Sequence, residues 1–193
     1  MKIGIFGGSF NPPHNMHKNI ALKLINKGYL DKVIFVPTGD KYNKDGLLNQ
    51  KDRYNMVKLM IEGCDNLEVS DYEFNKLTYT YETLDYFKNI YKDDDIYFIC
   101  GSDNLKQITL WRKYDYILRN YKMIVIRRNN DDIDKIINNL LIYYKNIICI
   151  TDIQNSLSST LIRENLNKNN DTYLLQNMDA NVLKYIKNNS IIY

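Results

Sequence analysis

Both histidines of this chain, His14 and His17, fall in one short segment, Gly7-Gly8-Ser9-Phe10-Asn11-Pro12-Pro13-His14-Asn15-Met16-His17. A short apolar run precedes it and an apolar helical pattern follows, so the segment reads as strand end, loop and helix start. The paired glycines let backbone approach a ligand closely. Pro12 and Pro13 stop the strand and are expected to preset φ for the helix. That helix would turn its free N–H groups and positive dipole end towards the loop, which makes an anion site. His14 and His17, three positions apart, share one face of the first turn, and His17 is in phase with Ile20, Ala21 and Leu24. The chemistry this arrangement suits is donation of hydrogen bonds and positive charge to phosphate. The plainer alternative is a helix start with two satisfied, partly buried histidines, which the glycines, prolines and strand–loop–helix context disfavour. The spacing Gly4-x-x-Gly7-Gly8 is neither a dinucleotide fingerprint nor a P-loop.

A second candidate lies about 140 residues on, in Ser158-Ser159-Thr160-Leu161-Ile162-Arg163. Ser and Thr cap helix N-termini, and their hydroxyls with the free N–H groups can hold an anion. Arg163 near a helix N-terminus is electrostatically misplaced unless an anion is close by. Read alone, the segment is a capped helix with a solvated Arg.

These residues must be held by the elements around them. Strands are expected at 2–7, 32–37, 67–70, 95–101, 122–127 and 146–151, most with near-continuous apolar centres, as in strands buried on both faces. Helices are expected near 14–27, 50–62, 80–91, 112–119 and 132–145, with two more at 159–166 and 179–188. Strand–helix alternation predicts an α/β fold: a Rossmann-like parallel sheet of about six strands, helices on both faces and a small C-terminal helical segment. Residues 1–193 are expected to form one domain, with 158–193 as its C-terminal helical part. In such sheets ligands bind beyond the carboxyl ends of the strands.

Composition narrows the partners. The 26 Lys and Arg nearly cancel the 23 Asp and Glu, and a net charge of +3 gives no basic footprint for nucleic acid. Cys64, Cys100 and Cys149 are odd in number and widely spaced, which reads as reduced thiols in a cytoplasmic protein. No zinc site fits this spacing with two histidines, Asp93-Asp94-Asp95 reads as a solvated turn, and no metal site of the protein's own is expected. No apolar run is long enough for a signal peptide or a membrane span.

GGSFNPPHNMH resembles the GG(S/T)FxPxHxGH signature of nucleotidyltransferases with a His-x-x-His helix start, with Asn11 in place of the usual Asp and Met16 in place of the usual Gly. Leu157 to Arg163 resembles the family's second signature, (I/L)SSTxxR, which binds ATP phosphates. Val36-Pro37-Thr38-Gly39, Thr78-Tyr79-Thr80-Tyr81-Glu82-Thr83-Leu84 and Gly101-Ser102-Asp103-Asn104-Leu105 with Trp111 resemble segments of the nicotinate-nucleotide adenylyltransferases. The usual PPHK is replaced by Lys41-Tyr42-Asn43-Lys44, which keeps only Lys44 at the family Lys.

The resemblance implies adenylyl transfer from ATP to nicotinate mononucleotide, giving nicotinate adenine dinucleotide and pyrophosphate in NAD biosynthesis. It implies His14, His17 and Arg163 as catalytic, and Gly7, Gly8, Ser9, Phe10, Gly101, Asp103, Ser158, Ser159, Thr160 and Arg163 as ATP-binding. Lys44, Tyr79, Thr80, Trp111 and Arg128 are implied at the acceptor, with the Thr78–Thr83 helix start favouring an acid over an amide. Mg2+ would arrive with ATP. The resemblance leaves the oligomeric state open, a homodimer being one option. Two rivals remain at this point: nicotinamide mononucleotide as the acceptor, and a non-catalytic nucleotide sensor on the same scaffold. Pantetheine phosphate as acceptor and a class I aminoacyl-tRNA synthetase rank lower.

Overall fold

The computed structural model describes residues 1–193 apart from 42–45, 129–130, 139, 141–145 and 154–156, and apart from the side chains of 133 and 134. Its strands are β1 (Lys2–Gly8), β2 (Lys32–Pro37), β3 (Leu67–Val69), β4 (Asp95–Gly101), β5 (Lys122–Ile126) and β6 (Ile147–Ile150). They form one parallel sheet in the order β3-β2-β1-β4-β5-β6. This is the doubly wound order, in which the chain runs outwards in one direction from β1 and then in the other from β4. The expected α/β sheet is therefore present.

The helices are α1 (Asn15–Asn26), α2 (Gln50–Met60), α3 (Thr80–Ile90), α4 (Ser102–Lys106), α5 (Tyr114–Asn120), α6 (Ile133–Asn138), α7 (Ser159–Asn167), α8 (Asp171–Asn177) and α9 (Ala180–Asn188). Two cores flank the sheet, because β1 sends successive side chains to opposite faces. Ile3 and Ile5 face Leu84, Phe87, Leu105 and Ile117 on one side. Phe6 faces Ile20, Leu24, Met56, Met60, Ile162 and Ile186 on the other.

The sequence pattern predicts most elements within a residue or two and misses others. The expected helix at 132–145 is described only over Ile133–Asn138, and its continuation lies outside the described residues. No helix was expected at Ser102–Lys106 or Asp171–Asn177, nor the 3-10 turn Ile108–Leu110. Each is too short to show a full apolar period. Pro12 and Pro13 do not occupy the first helical position. His14 intervenes as an extended N-cap with φ −144°. The prolines end the loop instead of starting the helix.

Beyond the pair Phe6–Ile99 the register between β1 and β4 ends, although both strands run on, to Gly8 and Gly101. The cavity described below opens where they part. The loops on its β2 side are held by Arg53, a fully buried residue of α2. Its guanidinium donates to the carbonyls of Leu48 at 2.7 Å, Ser9 at 3.0 Å and Thr38 at 2.6 Å, and to Asp40 Oδ1 at 3.0 Å. One side chain thereby fixes the loop after β1 against the loop after β2. Gly39 in the latter admits no side chain, since a Cβ there would lie 2.1 Å from the Glu73 carbonyl oxygen and 2.8 Å from that of Lys76.

Arg53→Ala should cost about 3–5 kcal/mol of stability, because it empties a fully buried side-chain site and leaves the Leu48, Ser9 and Thr38 carbonyls without their charged donor. Urea unfolding of the two proteins measures this. A loss under about 1 kcal/mol would mean that water replaces the guanidinium and that Arg53 does not hold the loops.

Candidate active site

A cavity of about 720 Å3 lies beyond the carboxyl ends of β1 and β4, lined by Gly7, Gly8, Cys100 and Gly101 at the strand ends. Around these come residues of four elements: His17 of α1 with its N-cap His14, Thr80 of α3, Asp103 of α4 and Arg163 of α7. The switch in strand order places it where open α/β sheets bind ligands.

The histidines are arranged by the helix start. The His14 backbone N–H donates to His17 Nδ1 at 3.2 Å, and the His17 N–H donates to the His14 carbonyl at 2.9 Å. An Nδ1 that accepts leaves the ring proton on Nε2. The two rings stack at 3.7 Å with an interplanar angle of 23°. Neither ring nitrogen of His14 has a partner among the described residues, although both are buried. Burial first, and then the charge of Arg128, push the His14 imidazole down to about 4. His17 is also pushed well down, by burial, His14 and Arg128 in that order. Both rings therefore stand neutral near pH 7 and present N–H donors without charge. An unpartnered polar side chain with 1% exposure is costly unless a ligand uses it.

Phe10 holds the loop above them. Its φ of 45° lies in the left-handed region, unusual for an aromatic residue, and its side chain is buried. The ring meets Phe6, His17 and Phe35 edge-on at 5.8, 5.0 and 5.6 Å. Met16 sits inside α1 and packs on the same core, so the turn needs no glycine there. Asn11 has 6% exposure, donates from Nδ2 to the Gly46 carbonyl at 2.8 Å and accepts at Oδ1 from the Leu48 N–H at 3.1 Å.

The second segment docks onto the first. Ser159 Oγ donates to the Pro12 carbonyl at 2.9 Å, and Arg163 Nη1 donates to the Asn11 carbonyl at 2.7 Å. Arg163 Nη2 also donates to Thr160 Oγ1 at 3.2 Å. Ser158 caps α7, accepting from the Leu161 N–H at 3.2 Å.

On the far wall, Gly101 passes directly into α4. A Cβ at Gly101 would lie 2.3 Å from Asp103 Oδ1 and 3.2 Å from the Arg128 side chain. Arg128 Nη1 reaches Asp103 Oδ2 at 3.2 Å. The Arg128 N–H donates to Ser102 Oγ at 2.9 Å, and Ser102 donates to Asp131 at 2.6 Å. Trp111 is half-buried and meets Phe98 edge-on at 5.8 Å. Tyr79 caps α3, with its N–H bonded to Glu82 Oε2 at 2.9 Å. Lys44 lies outside the described residues.

All the expected site residues except Lys44 line this cavity. Sequence reasoning placed Ser102 and Glu73 only as members of motif segments and did not single out Arg53 or Arg112. Arg53 had a signal: it sits at helical spacing with Met56, Val57 and Met60, an Arg on an apolar stripe. Arg112 had one too, lying next to Trp111. Glu73 also lines the cavity, accepts from Thr83 Oγ1 at 2.7 Å and is pushed up by burial. Among the described residues no three His, Cys, Asp or Glu side chains gather as a metal site, and both cavity carboxylates, Asp103 and Glu73, are already bonded within the protein. The residues present do not fit a protein-held divalent ion.

A doubly wound sheet whose first loop carries stacked histidines, closed by a Ser-Ser-Thr-x-x-Arg helix, defines a nucleotidyltransferase site. The family model described as cytidylyltransferase-like matches residues 5–165, and the chain belongs to that family, among its nicotinate-nucleotide adenylyltransferases. The probable nicotinate-nucleotide adenylyltransferase of Clostridium tetani is 38% identical over 192 residues, covering 95% of this chain and 96% of its own. That of Acholeplasma laidlawii is 35% identical over 190 residues, covering 97% and 95%. Plasmodium falciparum nicotinic acid mononucleotide adenylyltransferase, solved in complex with NaAD, has the same fold, with a TM-score of 0.82 at 22% identity over 98% of this chain and 96% of that one. No helix among the described residues is long and apolar enough to cross a membrane.

The neutral histidines give a pH dependence with a definite sign. The His14 pKa is about 4 in the folded chain against 6.5 for the free side chain. As pH falls, the unfolded chain takes the proton first, so stability present above about 6.5 is lost down to about 4. Between pH 7 and pH 4.5 the wild type should lose about 2–3 kcal/mol more than His14→Gln. Urea unfolding at both pH values checks this, and parallel losses would mean that His14 is not held neutral by the fold.

Proposed function

We propose that the chain transfers the adenylyl group of ATP to nicotinate mononucleotide, releasing pyrophosphate and forming nicotinate adenine dinucleotide. One observation carries the reading. The two segments suited to phosphate, about 140 residues apart in sequence, are hydrogen-bonded to each other at one cavity, through Ser159 to Pro12 and Arg163 to Asn11. The relatives named for this activity span nearly the whole chain.

In this reaction a phosphate oxygen of the mononucleotide attacks the α-phosphorus of ATP. The bond from that phosphorus to the β-bridging oxygen breaks, and pyrophosphate takes the electron pair. The nucleophile is already an anion near pH 7, so no general base and no covalent intermediate are needed. Catalysis is alignment of two anions and stabilisation of charge on the transferring and leaving groups. Ring N–H groups of His14 and His17 donate to the phosphates with the backbone of Gly7, Gly8, Ser9 and Phe10. Arg163, with Ser158, Ser159 and Thr160 at the α7 N-terminus, receives the leaving pyrophosphate, and the guanidinium moves from the Asn11 carbonyl to do so. Gly101 and Asp103 contact the adenosine, where absence of a Cβ gives close approach, and Arg128 closes that side. Tyr79, Thr80 and Trp111 hold the acceptor. A divalent ion such as Mg2+ would come with the triphosphate and would offset its negative charge.

His17→Ala should lower kcat about 100- to 1,000-fold, the scale for losing one preorganised donor, and leave Tm within a few degrees of the wild type. Steady-state pyrophosphate release dependent on the mononucleotide reads it. Near-normal turnover would return His17 to a purely structural role, and a wild type that releases no pyrophosphate would favour the sensor. Arg163→Ala should weaken ATP and slow transfer, and Arg163→Lys should recover only part, since a point charge replaces a planar fork. An equally active, more stable alanine variant would remove Arg163 from the phosphates. Trp111→Ala should raise KM for the acceptor while leaving its acid-to-amide preference largely intact, because ring stacking serves both.

A further inference from the structure

We propose that Arg112, at the α3 end of the cavity, supplies the positive charge that selects an acceptor with a ring carboxylate over its amide. The inference rests on the acceptor reading above and adds the residue that discriminates. Arg112 lines the cavity together with Thr78, Thr80 and Trp111. Its guanidinium carbon lies 4.8 Å from the Tyr79 ring centroid, so a cation–π contact fixes the charge at the helix start. The other two arginines lining the cavity, Arg128 and Arg163, are occupied with Asp103 and with Asn11 and Thr160. Arg112 makes no ion pair with a carboxylate among the described residues.

A second observation at the same wall points to a ligand. Thr78 Oγ1 is buried and has no hydrogen-bond partner among the described residues. The first turn of α3, which spans Thr80–Ile90, adds backbone N–H groups with no intrahelical acceptor. Guanidinium and backbone N–H groups only donate, and hydroxyls can donate or accept. A wall with this excess of donors suits a carboxylate, which only accepts. A carboxamide brings two N–H donors of its own, and at most the Thr78 and Thr80 hydroxyls could receive them. Glu82 attracts the guanidinium, so an acceptor carboxylate competes with it, and both carboxylates near this wall are also hydrogen-bonded. Glu82 is engaged by the Tyr79 N–H and the Tyr81 hydroxyl, and Glu73 by the Thr83 hydroxyl.

Arg112 is exposed, so its replacement leaves the core untouched. The test compares kcat/KM for nicotinate mononucleotide and nicotinamide mononucleotide in the wild type, Arg112→Gln and Arg112→Lys. The glutamine variant should lose about 10- to 100-fold on the acid, chiefly through KM, the scale of one charge-assisted contact. It should change less than about threefold on the amide, and KM for ATP should hold. Arg112→Lys should restore part of the preference. A wild-type preference for the acid that survives in Arg112→Gln, or equal losses on both acceptors, overturns the role of Arg112 and leaves the acceptor reading standing. A wild type without acid preference overturns the acceptor reading, and the role of Arg112 with it.

Discussion

The parting of β1 from β4 is the constraint on which the site depends. Parallel pairing holds them together up to Phe6 and Ile99, and the chain then sends β1 into α1 on one side and β4 into α4 on the other. Two strands that feed helices on opposite faces cannot stay in register to their ends. The gap this leaves is bounded by glycine on both sides, Gly7 and Gly8 against Gly101, so backbone rather than side chain forms the floor. The α1 and α7 starts, the stacked histidines and the Asp103–Arg128 pair are all placed around that gap.

What surrounds the gap is tied by a few buried polar groups, each bridging segments distant in sequence. Arg53 joins the loops after β1 and β2. Ser102 joins α4 to the segment after β5. Ser159 and Arg163 bring α7 against the loop after β1. Buried polar groups of this kind must be fully bonded to be tolerated, and then they fix one arrangement. The His14 ring and the Thr78 hydroxyl, which both line the cavity, are exceptions among the described residues, buried without a partner as expected of groups that meet a ligand.

Much of this was legible in the sequence. Continuous apolar strands and amphipathic helices gave the parallel sheet, because burial on both faces leaves a periodic trace. The histidine loop and the Ser-Ser-Thr-x-x-Arg segment stood out because glycines, prolines and hydroxyls have few other reasons to cluster there. The short helix Ser102–Lys106 left no such trace, being shorter than two turns. Arg53 was missed because a charge on an apolar stripe looks like an error until its five acceptors are seen in space. Arg112 was missed because its meaning depends on Tyr79, which is far from it in sequence and adjacent to it in the fold.

Asn11 ties the loop after β1 to the stretch from Gly46 to Leu48. Its amide gives a proton to Gly46 and takes one from Leu48, so both halves of the group are spoken for. An aspartate at this place could answer only Leu48, and would set a carboxylate against the Gly46 carbonyl. A substitution at Asn11 therefore acts on the chain at Gly46 and Leu48 as well as on its own loop. One neutral amide thus does at this joint what no singly charged or purely apolar side chain of its size could do, because it offers a donor and an acceptor at once.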